Sequence, residues 1–287
     1  MKQKKIIYNG KLVDEGTVRF SLEDTDMLYG YGCYETLKVR SGLLYFPEEH
    51  VARLIASADA IGFKHNLNEA GLIPSLRNFV VSLNLDNSNL RMVVIGHEGR
   101  NADWYILSQP AFFPPVKAKT NGVDCLLFFG ERQLPRAKSL SMLLSTIAYR
   151  AACERDCYDA LLVNRHEQIT EGTRTNVFYV EKDQPNLVYT PPASQVLSGI
   201  TRKTFLHALD DAEISWIEEP LTLEQAFSGR FGMLISSTST TLVPVARIYN
   251  PEGDLWHTLP VFNKLQTFST LYDSWLESWE REARSKK

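Results

Sequence analysis

Cysteine is scarce in this sequence: only Cys33, Cys125, Cys153 and Cys157 occur in 287 residues. So few thiols exclude a disulfide-built secreted scaffold and point to a reducing, cytoplasmic compartment. Cys153 and Cys157 sit four apart on an expected helix. Metal sites use that spacing, but two small buried residues on one helix face account for it, and no metal is expected. Long apolar runs are also missing. None approaches the roughly 20 residues of a membrane-spanning helix. The basic start is followed only by Ile6-Ile7-Tyr8 before Asn9-Gly10, so no secretory leader is expected. Neither sign of charge dominates. Lys and Arg total 31 against 34 Asp and Glu, a formal net charge of -3. That balance offers nothing to nucleic acid or to an anionic membrane surface. Internal repeats and low-complexity segments are absent.

What is present is ordinary globular composition, 44% hydrophobic and 23% charged. The length suits one large domain or two medium ones of roughly 100–200 residues each. Two β-prone runs flank Asn9-Gly10, a strong hairpin signal. A second hairpin is expected from Cys33–Val39 and Leu43–Phe46 around Ser41-Gly42. A helix follows from Pro47, with Val51, Leu54, Ile55, Ala58 and Ile61 at helical spacing and Gly62 as its stop. Residues 91–95 and 103–107 read as strands. The boundaries predict a small N-terminal α+β domain over 1–115, a linker over 116–122 and a larger α+β domain over 123–287. In the larger domain, strands are expected at 123–129, 159–163, 176–180, 187–190 and 231–236. Helices are expected over 142–156, from Thr201, from Thr222 and over 261–284.

Several positions carry chemistry. Lys138 lies between a strand and a largely apolar helix. A lysine that attacks carbonyls must lose its proton, which partial burial and nearby positive charge promote, and Arg136 is a candidate for that charge. Glu171 reads as a carboxylate in a turn between apolar strands. Ser198-Gly199-Ile200-Thr201 opens a helix, where N–H groups and the helix dipole favour an anion. An ordinary N-cap by Ser198 or Thr201 explains the same residues. A hydroxyl-rich turn spans Ser236–Thr241. His50 and Arg53 share a helix face, largely opposite the apolar stripe. In Tyr29-Gly30-Tyr31-Gly32, two glycines let backbone approach a neighbour closely.

In this order the motifs resemble the fold-type IV (class IV) pyridoxal-phosphate enzymes. The motifs are Tyr-Gly-x-Gly-x-Tyr-Glu (29–35), His-x-x-Arg-Leu (50–54), Lys-Ser-Leu (138–140), Thr-Glu-Gly-x-x-x-Asn-Val-Phe (170–178), Leu-x-Gly-Ile-Thr-Arg (197–202) and Ser-Ser-Thr with Pro-Val (236–245). That family includes D-amino-acid and branched-chain aminotransferases. The resemblance implies a two-domain α+β fold of the D-amino-acid aminotransferase kind, with pyridoxal 5′-phosphate in the cleft between domains. It implies that Lys138 holds the cofactor as an aldimine and that Glu171 pairs with the ring nitrogen. Arg53, Ile200, Thr201, Ser237 and Thr238 would hold the phosphate, and Tyr34 would line the substrate pocket. Ping-pong amino transfer between an amino acid and a 2-keto acid is expected in a homodimer, with D-amino acids favoured over branched-chain L-amino acids. Aminodeoxychorismate lyase, which makes 4-aminobenzoate and pyruvate, is the rival activity. A non-catalytic binding protein is a third reading, disfavoured by the intact Lys138 and Glu171. The 91–103 stretch lacks the Arg-x-His pattern by which D-amino-acid aminotransferases grip the substrate carboxylate. Arg174 is the expected replacement.

Overall fold

A computed structural model of the protein describes residues 4–115 and 117–285. Its contacts divide the chain into two compact units. The first runs to Phe112 and also includes Arg136–Met142; the second holds Phe113–Pro135 and Leu143 onward.

The first unit begins with β1 (Lys5–Tyr8), β2 (Lys11–Asp14), a short 3-10 turn and α1 (Thr25–Leu28). It continues with β3 (Gly32–Arg40), β4 (Leu43–Leu44), α2 (Pro47–Ile61), α3 (Glu69–Ser82), β5 (Ser88–Ile95) and β6 (Asp103–Pro110). The strands form one antiparallel sheet in the order β2-β1-β6-β5-β3-β4. Both expected hairpins are present. Gly62 ends α2 in a left-handed conformation, which glycine adopts without a Cβ clash. Val51, Leu54 and Ala58 of α2 pack on Leu37, Val39 and Met92 of the sheet. Helix α3 is not among the expected elements, and Gly71 and Pro74 within it are residues that disfavour helix. Its Leu72, Leu76, Phe79 and Val80 nevertheless recur at helical spacing and are buried, and Asn68 caps it by accepting from Gly71 N at 2.9 Å. Core burial outweighs the local breakers.

The second unit contains α4 (Ala118–Asn121), β7 (Val123–Phe129), α5 (Leu143–Cys153), β8 (Asp159–Val163), β9 (Gln168–Gly172), β10 (Asn176–Glu181) and β11 (Leu187–Thr190). After these come α6 (Ile200–Asp211), β12 (Ser215–Glu218), β13 (Leu221–Thr222), α7 (Leu223–Phe227), β14 (Phe231–Ser237), β15 (Thr241–Tyr249), β16 (Leu255–Thr258) and α8 (Asn263–Ser285). Strand pairing runs β10-β14-β15-β7-β8-β9 and closes on itself where Asn176 of β10 pairs with Glu171 of β9. The strands obey a period of two. Cys125, Leu127, Leu161, Val163, Val177, Tyr179, Met233, Ile235, Val243 and Val245 make one core. The alternate residues Phe178, Val180, Leu234 and Leu242 meet Phe205 of α6 and Phe268 of α8. Leu126, Ala160 and Leu162 meet Ala148 and Ala152 of α5. These strands are therefore apolar on both faces.

The expected boundaries need three corrections. The stretch expected to be a linker belongs to the second unit, where α4 packs on β15 and α8 (Val116 lies outside the described residues). Residues 136–142 pack with the first unit, because Ser139 bridges Cys33 and Leu140 N donates to Gly32 O. Helix α5 stops at Cys153, so Cys157 lies beyond it; Cys157 is buried while Cys153 is exposed.

Candidate active site

In the first unit Lys138 is held by its backbone. Its N–H donates to the Ser57 hydroxyl at 3.1 Å, and its carbonyl accepts from Tyr34 N at 2.9 Å. Ser57 is buried on α2 and donates to the Arg53 carbonyl at 2.8 Å. The 138–140 segment thus lies along the start of β3. The two glycines make this possible. A Cβ on Gly30 would meet Leu140 backbone at 3.2 Å, and one on Gly32 would meet the Leu140 side chain at 2.8 Å. Lys138 is half-buried, and its Nζ stands over the Tyr34 ring, 4.5 Å from the centroid. Arg91 of β5 also stacks on that ring, with Cζ 4.6 Å away. Arg136, expected to supply charge, is exposed, and Arg91 is the cation sharing Tyr34 with Lys138.

Beside Tyr34, Glu35 is fully buried between two bases. Arg53 grips it with Nε at 2.6 Å from Oε1 and Nη2 at 2.8 Å from Oε2, and His50 Nδ1 lies 2.8 Å from Oε2. Burial pushes the Glu35 carboxyl up, but Arg53 and His50 more than reverse this and hold it below the usual range. Burial, with the Arg53 and Lys138 charges, lowers His50 despite Glu35. His50 is not opposite the apolar stripe as expected: it is buried beside Val51 and Leu54, because Glu35 satisfies its polar edge. Its Nε2 is buried without a hydrogen-bond partner among the described residues.

In the second unit Glu171 lies within β9 rather than in a turn, and is 3% exposed. Strand pairing with Leu162 and Asn176 fixes it. Arg132 Nε lies 2.9 Å from its Oε1, as an ion pair rather than an aligned hydrogen bond. Leu197 N donates to its Oε2 at 3.3 Å, while the Leu197 carbonyl accepts from Asn176 Nδ2 at 2.8 Å. Leu197 therefore ties the turn before α6 to Glu171.

That turn leads to Gly199, the N-cap of α6, which brings no side-chain oxygen to the first-turn N–H groups. Neither Ser198 nor Thr201 is the cap. A Cβ at Gly199 would lie 1.9 Å from Asn176 Oδ1, so only glycine fits. The first turn also lacks acids. Ile200 and Thr201 thus begin a helix whose dipole and N–H groups suit an anion.

The hydroxyl-rich turn follows β14. Ser236 Oγ is buried without a partner among the described residues, and Ser237 donates to Thr240 Oγ1 at 3.0 Å. Thr238 is half-buried in the turn, and Thr241 takes a left-handed φ of 62°. Strain at a β-branched residue marks a conformation imposed by its surroundings. Thr240 also bonds the Tyr158 hydroxyl.

Arg174 is exposed. Its guanidinium lies 3.9 Å over the Tyr149 ring and donates to the Tyr158 carbonyl at 2.8 Å. Its turn is built on the fully buried Asp159, which accepts from the Thr173 hydroxyl, from Thr175 Oγ1 at 2.9 Å and from Arg174 N at 3.3 Å.

Sequence reasoning missed Arg91, Arg132, Ser57 and Asp159. Each acts through a partner distant in sequence, so no local spacing announces it. The available chemistry is an amine beside an aromatic ring, a buried carboxylate, and backbone and hydroxyl donors suited to a phosphate. These donor types fit a phosphorylated pyridine aldehyde.

Comparison with known proteins gives the same reading. The family model described as amino-transferase class IV matches residues 32–248. A D-alanine aminotransferase from Bacillus licheniformis is 30% identical over 254 residues, covering 85% of this chain and 88% of its own. A putative branched-chain-amino-acid aminotransferase from Methanocaldococcus jannaschii is 30% identical over 258 residues, covering 85% and 88%. A crystal structure of the branched-chain aminotransferase from Thermoproteus uzoniensis shares the fold, with TM-score 0.82 at 22% identity over 94% of each chain.

Proposed function

Because the chain belongs to the class IV amino-transferase family, whose members use pyridoxal 5′-phosphate, we propose that it moves an amino group from a D-amino acid to a 2-keto acid. The observation that carries this reading is Lys138, pinned through its backbone while its amine stands over Tyr34. The bound cofactor supplies an electron sink. Lys138 Nζ takes the proton from the substrate Cα and returns it on the cofactor side. Glu171 pairs with the ring nitrogen. Arg53, the N–H of Ile200, Thr201, Ser237 and Thr238 hold the phosphate. Tyr34 bounds the substrate, and two copies of the chain form a cytoplasmic homodimer. Among the described residues no helix is long and apolar enough to cross a membrane.

The D-amino-acid preference draws support from the Lys-Ser-Leu and Tyr-Gly-x-Gly-x-Tyr-Glu motifs and from the D-alanine aminotransferase relative. A screen of D- and L-amino acids against 2-oxoglutarate and pyruvate tests it. Product is expected in stoichiometric proportion to the acceptor keto acid, fastest with D-amino acids. Preference for branched-chain L-amino acids would remove the stereochemical part. Pyruvate release without an acceptor would favour the lyase instead.

Arg174 is the candidate for the substrate carboxylate. A charge-assisted hydrogen bond contributes about 1.5–3 kcal/mol, so Arg174→Ala is expected to raise KM for amino acids roughly 10–100-fold. Primary amines lacking a carboxylate should keep their KM. Equal effects on both substrate classes would return Arg174 to its packing role on Tyr149.

A further inference from the structure

Glu171 has to stay ionised to pair with a protonated ring nitrogen, yet burial opposes ionisation. It is 3% exposed, in a strand that pairs it with Leu162 on one side and Asn176 on the other. Desolvation drives such a carboxyl toward its neutral form. Two other acids lie on the paired strands. Asp159 of β8 is another buried acid, and Glu181 of β10 is taken up by Arg230 at 3.3 Å. Arg174, on the turn after β9, lies over Tyr149.

Arg132 brings a positive charge to Glu171. It lies in the segment after β7, and its side chain is only 16% exposed. It is held at two ends. Nε lies 2.9 Å from Glu171 Oε1, and Nη2 donates to the Thr173 carbonyl at 2.9 Å. That carbonyl belongs to the turn that Asp159 fixes through the Thr173 and Thr175 hydroxyls. Guanidinium remains charged at any working pH and has a planar fork, so a single side chain sets both charge and orientation.

We propose that Arg132 is a positioning residue that keeps Glu171 ionised, so that the proton shared with the cofactor rests on the ring nitrogen rather than on the carboxyl. This rests on the reading that Glu171 is the ring-nitrogen partner. Without Arg132, burial would weigh more heavily and shift Glu171 toward its neutral form. The electron sink would weaken, while the groups assigned to phosphate and substrate would be untouched. Asp159, through the 173–175 turn, supports the arrangement from behind.

The test uses the full-length wild type with Arg132→Gln, Arg132→Lys and Glu171→Gln. Infrared difference spectra of the protein without cofactor follow carboxyl protonation against pH, and Glu171→Gln identifies the signal of Glu171. In the wild type Glu171 is expected to remain ionised at about pH 6, above the ordinary glutamate value of about 4.3. In Arg132→Gln its protonation moves up by about one to three pH units. With pyridoxal phosphate bound, kcat falls by about tenfold or more, following that proton shift, while KM and cofactor affinity change little. Arg132→Lys recovers much of both effects.

The proposal is overturned if Glu171 is already protonated at that pH in the wild type. It is also overturned if Arg132→Gln leaves both the titration and kcat unchanged, or if Arg132→Lys is as impaired as Arg132→Gln. Should Arg132→Gln fail to fold, the wild-type titration and Arg132→Lys still decide the matter. Failure of the underlying reading looks different. The wild type would then bind no pyridoxal phosphate, or Glu171→Gln would leave kcat unchanged, whatever the infrared titration shows.

Discussion

Replacing Lys138 with Ala is expected to abolish amino transfer, lowering kcat by at least about 10,000-fold. On the role proposed for Lys138, the same change removes both the covalent attachment and the proton carrier. The visible absorbance of bound pyridoxal phosphate should lose the component trapped by borohydride. Folding should survive. The bonds that hold the segment run through the Lys138 N–H and carbonyl, which Ala retains. Stability is therefore expected to stay within about 1 kcal/mol of the wild type. Measuring kcat, the spectrum and the unfolding midpoint on the same preparation separates lost chemistry from lost structure. A Lys138→Ala protein that still transaminates, or a wild type that stays colourless with the cofactor, would sink the assignment.

The second large effect concerns Glu35. Substitution by Gln leaves Arg53 partly buried without its counter-ion. Removing one partner of a buried pair costs about 3–5 kcal/mol, a large share of a total near 5–15 kcal/mol. Urea unfolding of Glu35→Gln should show that loss. Its pH dependence follows from the direction of each shift. Glu35 is held below its ordinary value of 4.5, so its contribution is present above that pH and is lost as pH falls toward the folded value. His50 is also lowered, from 6.5, so the folded state resists its protonation and stability already declines as pH drops below that point. Wild-type stability should therefore decline on acidification and steepen below the ordinary glutamate range. In Glu35→Gln the steeper part should be missing. An unchanged acid profile would show that Glu35 is not the group responsible. Cofactor affinity is expected to fall as well, since Arg53 is the proposed phosphate ligand and Glu35 sets its fork.

Much of the architecture was determined by local sequence. Asn9-Gly10 turns a hairpin, Gly62 stops α2, and apolar runs at 123–129 and 159–163 become strands with those bounds. Backbone sterics and the burial period act over a few residues, so one chain suffices to read them. The candidate residues come from motif order, which proposes Lys138, Glu171, Arg53 and the 198–201 turn by resemblance. Only tertiary structure decided their partners. Helix α3 forms despite Gly71 and Pro74 because its apolar face finds a core. Glu171 proved to be a strand residue because β9 meets β10 at that position and closes the ring. The choice of Arg132 for Glu171, Arg53 for Glu35 and Arg91 over Tyr34 could not be read from spacing. Among the 31 basic residues many could neutralise an acid, and the Coulomb energy that selects one depends on distance and burial after folding. Lys138 shows the division plainly: Lys-Ser-Leu proposes it as the candidate, and its setting is made by Ser57, Tyr34 and Gly32.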